Sequence, residues 1–283
     1  MKTAMLMALM TMLLMAIGDY FGGLQGMTIM LVFGVVMNFF TYWNSDKMVL
    51  AHYRAQEVNA RTAPRLYAIV KRLADRAKLP MPKVYVIDSP VPNAFATGRN
   101  PEHAAVAVNT ALADLLDEDE LAGVLAHELS HVKHRDILIS TVAASMAGAI
   151  STIAQWGMFL GGGRDENGES RNPIATILVM ILAPLAAALI QMAVSRSREY
   201  MADKSGGELC GNPNALADAL LKIEAFARRR VMPDATEATA HMFIINPFSG
   251  VNMKQLFSTH PPTEERVRLL REQARNMHRY EKV

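Results

Sequence analysis

Two histidines and one glutamate are the residues of this chain with the clearest chemical potential. His127 and His131 are four residues apart, and Glu128 follows the first of them directly. In a helix, residues at this spacing share one face, so both imidazoles can converge on a single ion. Glu128 then lies close enough to polarise a water molecule on that ion without being a ligand. This His-Glu-x-x-His spacing is typical of helices that bind zinc for hydrolysis.

The sequence around these residues predicts the helix that must position them. Apolar residues recur at a spacing near 3.6 residues, as an amphipathic helix requires: Leu121, Val124, Leu125 and Leu129. Four acidic residues precede them and suit the positive end of the helix dipole: Asp117, Glu118, Asp119 and Glu120. The five-residue pattern occurs by chance, so it needs a third ligand.

Composition limits what that ligand can be. The 283 residues suffice for one large domain or two small ones, and 51% of them are hydrophobic. The net charge of +2 gives no indication of a nucleic-acid-binding surface. Cys210 is the one cysteine, which excludes an internal disulfide and a multi-cysteine zinc site. Zinc must therefore be held by histidine and carboxylate.

Four hydrophobic segments indicate a membrane protein: 3–17, 27–43, 137–160 and 174–194. The first pair is slightly short of the ~20 residues that span a bilayer, but aromatic residues at their ends extend them. We predict an N-terminal transmembrane hairpin over 1–43 and a second hairpin over 137–194. The alternative for the second is a hydrophobic hairpin buried in a soluble domain.

The distribution of basic residues predicts the orientation. The loop 18–26 contains no Lys or Arg, whereas several follow the second segment closely: Lys47, Arg54, Arg61, Arg65, Lys71 and Arg72. The positive-inside rule places the N-terminus and the region after Trp43 in the cytoplasm. Residues 44–136 and 195–283 are then two parts of one cytoplasmic domain.

The predicted domain is mainly helical with a small sheet. Lys83 to Ile87 and His103 to Asn109 have the composition of strands. We expect the second strand, just ahead of the zinc helix, to have a free edge where Ala105, Val106 and Ala107 pair with an extended substrate. An ordinary sheet strand is the compatible alternative.

Glu199 is the candidate third ligand. His134 lies near the same face, but seven residues of helix separate it from His127, a rise of about 10 Å that is too long for one ion. Asp203 lies one turn after Glu199, where it can hold a ligating imidazole through the free N–H. On spacing alone, solvated charges or ion pairs with Arg196 or Arg198 explain these carboxylates equally well.

The whole set of motifs resembles the HtpX family of bacterial membrane heat-shock proteases, relatives of the eukaryotic CAAX prenyl protease. The resemblance covers essentially the whole chain. It rests on the four hydrophobic segments and on His127-Glu128-Leu129-Ser130-His131, Glu199-x-x-x-Asp203, Thr259-His260-Pro261-Pro262 and Pro92-Asn93-Ala94-Phe95-Ala96-Thr97-Gly98.

The resemblance implies a zincin-like fold with four transmembrane helices and a role for each motif. His127, His131 and Glu199 would bind one zinc ion per chain, with Glu128 as catalytic base. Asp203 would support a ligand, and His260 would donate to the oxyanion. Asn93 is grouped with the substrate-binding edge strand.

The function that the resemblance implies is zinc-dependent cleavage of damaged membrane proteins and unfolded polypeptides. The expected location is the bacterial inner membrane, with several spans and the site facing the cytoplasm. Two alternatives are the processing of lipidated C-termini and a non-catalytic zinc-stabilised scaffold. The sequence does not indicate the oligomeric state.

Overall fold

The computed structural model describes residues 2–142, 196–229 and 261–280. Its helices are α1 (Lys2–His52), α2 (Pro64–Ala77), α3 (Thr110–Leu115), α4 (Glu118–Lys133), α5 (Arg196–Cys210), α6 (Pro213–Arg229) and α7 (Thr263–Tyr280). Its strands are β1 (Gln56–Val58), β2 (Lys83–Ile87), β3 (Ala94–Gly98) and β4 (Ala104–Asn109). The mainly helical architecture with a small sheet is as predicted. Most of the predicted second hairpin, and His260, lie outside the described ranges.

Helix α1 is a hairpin of two helices joined at Gly23, whose φ of 56° and ψ of −150° interrupt the helical backbone. The two halves pack closely, and a Cβ on Gly18 would collide with the carbonyl oxygen of Gly26. Asn38 ties them further by donating to Thr11 Oγ1 at 2.8 Å. Residues 2–52 therefore form a helical hairpin, and its insertion in a membrane stays a prediction.

One helix in the described ranges, Gly22–His52, is long and apolar enough to cross a membrane. Met7–Ala16, in the first half of the hairpin, is a shorter apolar stretch. Among the described residues, one of the four predicted spans thus coincides with a helix capable of crossing a membrane, and the four spans stay a prediction. The helix does not end at residue 43, the predicted end of the N-terminal hairpin, but continues to His52.

The sheet is mixed, with strand order β1-β2-β4-β3. β1 and β3 lie at the edges and are antiparallel to their neighbours, while β2 and β4 are parallel. One face packs on the helices through residues such as Val84 and Val106. The other face is covered by the end of α1, where Val49 and Leu50 contact Phe95 and its neighbours.

The prediction that Ala105, Val106 and Ala107 form the free edge is wrong. These residues lie in β4, which is paired on both sides, by β2 and by β3. All six residues of β4 are buried, because helices cover one face of the strand and α1 covers the other. A nearly continuous apolar run is typical of such a doubly covered central strand. The edge nearest α4 is β3.

Helix α4 begins as predicted from its acidic residues. Asp117 and Glu120 form a capping box, in which each side chain accepts a hydrogen bond from the other's backbone N–H at 2.9 Å. The rest of the helix is almost wholly buried, between α2, α5, α6 and β3.

Helix α5 runs through Gly206 and Gly207 and continues to Cys210. The glycines serve packing. A Cβ on Gly206 would lie 2.8 Å from the backbone nitrogen of His127, so the absence of a side chain lets α5 approach α4 closely.

Candidate active site

His127, His131 and Glu199 converge between α4 and α5. One ligand atom from each lies within 4.8 Å of the others. The Nε2 atoms of the two histidines are 3.3 Å apart. Glu199 Oε2 lies 3.8 Å from Nε2 of His127, and Glu199 Oε1 lies 3.5 Å from Nε2 of His131. The structure therefore brings together the three residues proposed as ligands from the sequence.

These distances fit a tetrahedral metal ion. Bonds of about 2.1 Å to such an ion place neighbouring donor atoms about 3.4 Å apart. Two imidazole nitrogens that face each other at 3.3 Å also need a proton or a cation between them. The donor set of two imidazoles and one carboxylate is one that zinc accepts while keeping a position open.

The electrostatics of His131 also favour a cation. Burial lowers the pKa of this imidazole, but contact with Asp136 and the charges of Glu199 and Glu128 outweigh it and raise the pKa to about 9. A cluster of carboxylates thus makes positive charge favourable at the position where the three donors meet.

Asp203, one helical turn after Glu199, lies beside His127. Its Oδ1 lies 2.9 Å from His127 Nδ1, the ring nitrogen that faces away from His131. This contact orients the ring and leaves Nε2 free to act as a ligand.

Arg266 is a neighbour of the site that the sequence did not reveal. It is 1% exposed, and its Nε and Nη2 donate to the two carboxylate oxygens of Asp203, both at 2.7 Å. Burial raises the pKa of the Asp203 carboxyl, but the charge and hydrogen bonds of Arg266, with the contact from His127, outweigh it and lower the pKa to about 2. Asp203 is therefore held ionised behind the imidazole.

Asp136 takes the corresponding place behind His131 and was also not predicted. Arg135 has a left-handed backbone, with φ of 60°, which turns the chain back after α4. The Asp136 N–H then donates to the His131 carbonyl at 2.9 Å, and Asp136 Oδ2 lies 3.5 Å from His131 Nδ1. A carboxylate five residues after the second histidine was the available sequence signal.

Glu128 follows His127 directly in α4 and contacts the sheet edge. Its Oε2 accepts a hydrogen bond from the backbone N–H of Ala96, in β3, at 2.9 Å. Glu128 is 8% exposed and is not one of the three converging donors. The carboxylate that the motif marks as a base therefore contacts the edge strand.

The remaining predicted site residues do not gather here. Asn93 is buried just ahead of β3, and its carbonyl accepts the Asn109 N–H at 2.9 Å. His134 ends α4 and lies 3.4 Å from Ser205 Oγ, outside the donor group, as the helical rise indicated. His260 lies outside the described residues, so its role stays a prediction.

The site combines two histidines of one helix, a carboxylate from a second helix and a glutamate beside a sheet edge. This combination defines a class, the metal-dependent peptidases of the His-Glu-x-x-His type. Comparison with known proteins makes this specific. Residues 60–274 match Peptidase family M48, and the chain belongs to that family. It is a metalloprotease.

Relatives in other organisms extend the match to nearly the full chain. A protein named "Protease HtpX homolog" from Burkholderia thailandensis is 59% identical over 276 residues, which are 97% of this chain and 96% of that one. A protein of the same name from Burkholderia mallei has the same identity and coverage. The resemblance to the HtpX family is confirmed.

The fold is similar to that in the crystal structure of S. mikatae Ste24p, with a TM-score of 0.52 and 19% sequence identity. The similarity covers 92% of this chain but 62% of that longer protein. The likeness therefore concerns the fold alone.

Proposed function

We propose that this chain is a membrane-bound zinc endopeptidase that cleaves misfolded or damaged membrane proteins at the cytoplasmic face of the bacterial inner membrane. The observation that carries the proposal is the meeting of His127, His131 and Glu199 beside Glu128, which itself contacts the edge strand at Ala96. Metal, base and strand edge are the three parts that peptide hydrolysis on an extended substrate needs.

The proposed ligands are His127, His131 and Glu199, with one zinc ion per chain. A zinc ion held there supplies Lewis acidity, which activates a water molecule and polarises the scissile carbonyl. Asp203 and Asp136 keep the two imidazoles oriented, each from the nitrogen that faces away from the ion.

Glu128 moves the protons in this proposal. Its carboxylate accepts the proton that the attacking water loses and returns it to the amine of the leaving fragment. The hydrogen bond from Ala96 fixes one carboxylate oxygen, so the scissile bond must come close to Ala96 when an extended substrate lies along β3.

The backbone of β3 can recognise substrates without reading their sequence. Alternate residues of an edge strand turn their N–H and C=O groups away from the sheet. Asn93 bonds β4 through its carbonyl, whereas the Ala96 N–H points the other way, to Glu128. The backbone N–H and C=O groups that point away from the sheet are therefore those of Ala94, Ala96 and Gly98. Main-chain pairing of this kind suits unfolded segments of varied sequence.

The position of α1 supports a membrane substrate. Tyr53, just after this helix, lies 5.5 Å from the ring of Phe95 in β3. Arg99, one residue beyond β3, lies 4.6 Å from the ring of Trp43 within α1. The candidate spanning helix thus reaches the same strand that Glu128 contacts, and a polypeptide leaving the membrane emerges next to it.

We also propose that residues 137–194 form a second transmembrane hairpin and interrupt one cytoplasmic domain made of 44–136 and 195–283. The core of the described residues contains side chains from both parts, among them Leu125 and Leu220. Protease added outside sealed spheroplasts tests the orientation. The domain should be protected, and its digestion would contradict a cytoplasmic location.

Glu128→Gln in the full-length protein tests the assignment of the base. The amide retains an oxygen that can accept the Ala96 N–H but cannot take a proton, so we expect casein cleavage to fall by about 10²- to 10⁴-fold. Cleavage by the unaltered protein should stop when a chelator is added.

Glu118→Gln is the matched control, because this exposed glutamate of the same helix pairs only loosely with Arg65, at 3.4 Å. It should leave cleavage unchanged. Retained turnover in Glu128→Gln contradicts the proposed role.

A further inference from the structure

Thr141 lies against the outward side of β3, two residues along from the position that Glu128 contacts. Its hydroxyl accepts the backbone N–H of Gly98 at 3.3 Å and lies 3.1 Å from the hydroxyl of Thr97. Thr97 and Thr141 are 0% and 1% exposed. Gly98 N–H is an outward group of the edge strand, so Thr141 takes a place that a bound peptide backbone would otherwise use.

The exposure of β3 shows that the accessible part of its edge is short. Of the outward-facing residues, Ala94 and Gly98 are buried, and Ala96 is partly exposed. Ala96 is also the residue whose N–H meets Glu128. Access to the strand is therefore concentrated at the place where the proposed chemistry occurs.

We propose that Thr141 is a specificity-determining residue that closes one end of the substrate-binding edge. The inference rests on the proposed hydrolysis beside Ala96. Antiparallel pairing, the commoner and more stable arrangement, makes the substrate run opposite to β3. Residues on the N-terminal side of the scissile bond then extend towards Gly98. Gly98 lies two residues, or about 6.8 Å, beyond Ala96 along the strand. Pairing of the substrate with β3 therefore ends about two residues N-terminal to the substrate residue that lies opposite Ala96.

Volume and hydrogen bonding at Thr141 can be separated by substitution. Thr141→Ala removes the hydroxyl and a methyl group, which opens space and frees the Gly98 N–H. Thr141→Val removes the hydroxyl but keeps the bulk, so the edge stays closed. Thr141→Ser keeps the hydroxyl and should keep the contact with Gly98.

The test uses the full-length protein in detergent and two series of peptides that share one cleavage site. One series is extended residue by residue on the N-terminal side of the scissile bond, and the other on the C-terminal side. Thr141→Ala should increase kcat/KM by about 3- to 10-fold, through a lower KM, for peptides long enough on the N-terminal side to reach Gly98; this is the range for one net hydrogen bond. The shortest peptides should be cleaved as before.

Thr141→Val and Thr141→Ser should both keep the length dependence of the unaltered protein. Thermal unfolding of each variant shows whether a rise in kcat/KM reflects a less stable fold. Thr141→Val should be destabilised, yet its kcat/KM should not rise. The inference is overturned if kcat/KM does not rise in Thr141→Ala, or if it rises equally for peptides of all lengths. It is also overturned if Thr141→Val shows the same rise, or if the rise occurs only on C-terminal extension. Failure of the unaltered protein to cleave any peptide contradicts the proposed function itself.

Discussion

Behind the imidazole of His127 stand two further side chains in series, Asp203 and then Arg266. The carboxylate lies 2.9 Å from the ring nitrogen and is itself held by both donors of a buried guanidinium. A buried ion pair of this kind is weak evidence for stability but fixes geometry, because removing one partner leaves the other charge uncompensated. In the proposed metal site, it fixes which nitrogen of His127 faces the ion.

Asp203→Asn should weaken metal binding by about 10- to 100-fold, the usual effect of losing the carboxylate behind a ligating imidazole. It should also lower the free energy of unfolding by about 3–5 kcal/mol, because the buried Arg266 loses the carboxylate that both of its donors contact. Titration against a chelator-buffered metal and thermal unfolding of the metal-free protein measure the two effects separately.

Asp218→Asn is the matched control, since Asp218 is 47% exposed and also pairs with an arginine, Arg271. Exposed pairs contribute about 0–1 kcal/mol, so metal affinity should be unchanged and stability nearly so. Equal metal affinities for the two variants would mean that Asp203 does not position the ligand.

The sequence revealed the residues of this site that follow a local rule. His127 and His131 share a helix face, and Asp203 lies one turn after Glu199, so spacing alone suggested both pairs. Arg266 follows no such rule, because it lies 63 residues from Asp203 and meets it only when α7 packs against α5. Long-range partners of this kind depend on the tertiary fold.

At the scale of elements, the site depends on how closely α5 can approach α4. Each helix carries part of the donor set, and these two helices share the most extensive packing among the described elements. Gly206 lies at a close approach of the two helices, where any side chain would meet the backbone of His127.

Gly206→Ala should destabilise the protein by about 1–3 kcal/mol and weaken metal binding, because the added Cβ would lie 2.8 Å from His127 N and 2.9 Å from His127 Cα. Backbone atoms cannot move aside as a side chain can. Thermal unfolding and metal titration measure both effects.

Gly207→Ala is the matched control, one residue further along the same helix. Its Cβ would meet mainly the mobile end of the Gln273 side chain, at 2.7 Å, and alanine favours the helix by about 1 kcal/mol over glycine. We expect Gly207→Ala to be close to neutral. A Gly206→Ala protein as stable as Gly207→Ala would refute the close-approach explanation.

Strand pairing explains why the prediction of the edge strand was wrong. The sequence predicted β4 as a strand correctly, but strand order within a sheet depends on pairing between distant segments. Both faces of β4 are apolar, which is typical of a central strand, whereas β3 contains Thr97 and Gly98 and is shorter. Its proximity to the metal helix in sequence did not make β4 the edge.

At the scale of the whole molecule, the second half of α1, Gly22–His52, joins the candidate membrane span to the catalytic domain as one continuous helix. Its exposed apolar side chains lie in the first part of Gly22–His52, and its buried ones, Val49 and Leu50, lie in the last turns against the sheet. The hydrophobic pattern predicted the hairpin, but could not show where lipid-facing residues give way to protein-facing ones, because both are apolar.

Val49→Ala and Val35→Ala compare the same change at two places in this helix. Val49 is 5% exposed and packs on the sheet, whereas Val35 is 56% exposed. Val49→Ala should lower the stability of the catalytic domain by about 2 kcal/mol, through lost burial and the cavity left behind. Val35→Ala should not change it. Thermal unfolding in detergent distinguishes them, and equal values would contradict the packing of α1 on the sheet.

In the proposed site, two helices complete one metal-binding group beside a separate base, and the metal-to-protein ratio tests this arrangement most directly. We expect about one zinc ion per chain in the unaltered protein and in Glu128→Gln, and a clear loss in Glu199→Ala, because Glu199 is a proposed ligand and Glu128 is not. Full zinc content in Glu199→Ala, or its loss in Glu128→Gln, would contradict this account of the site.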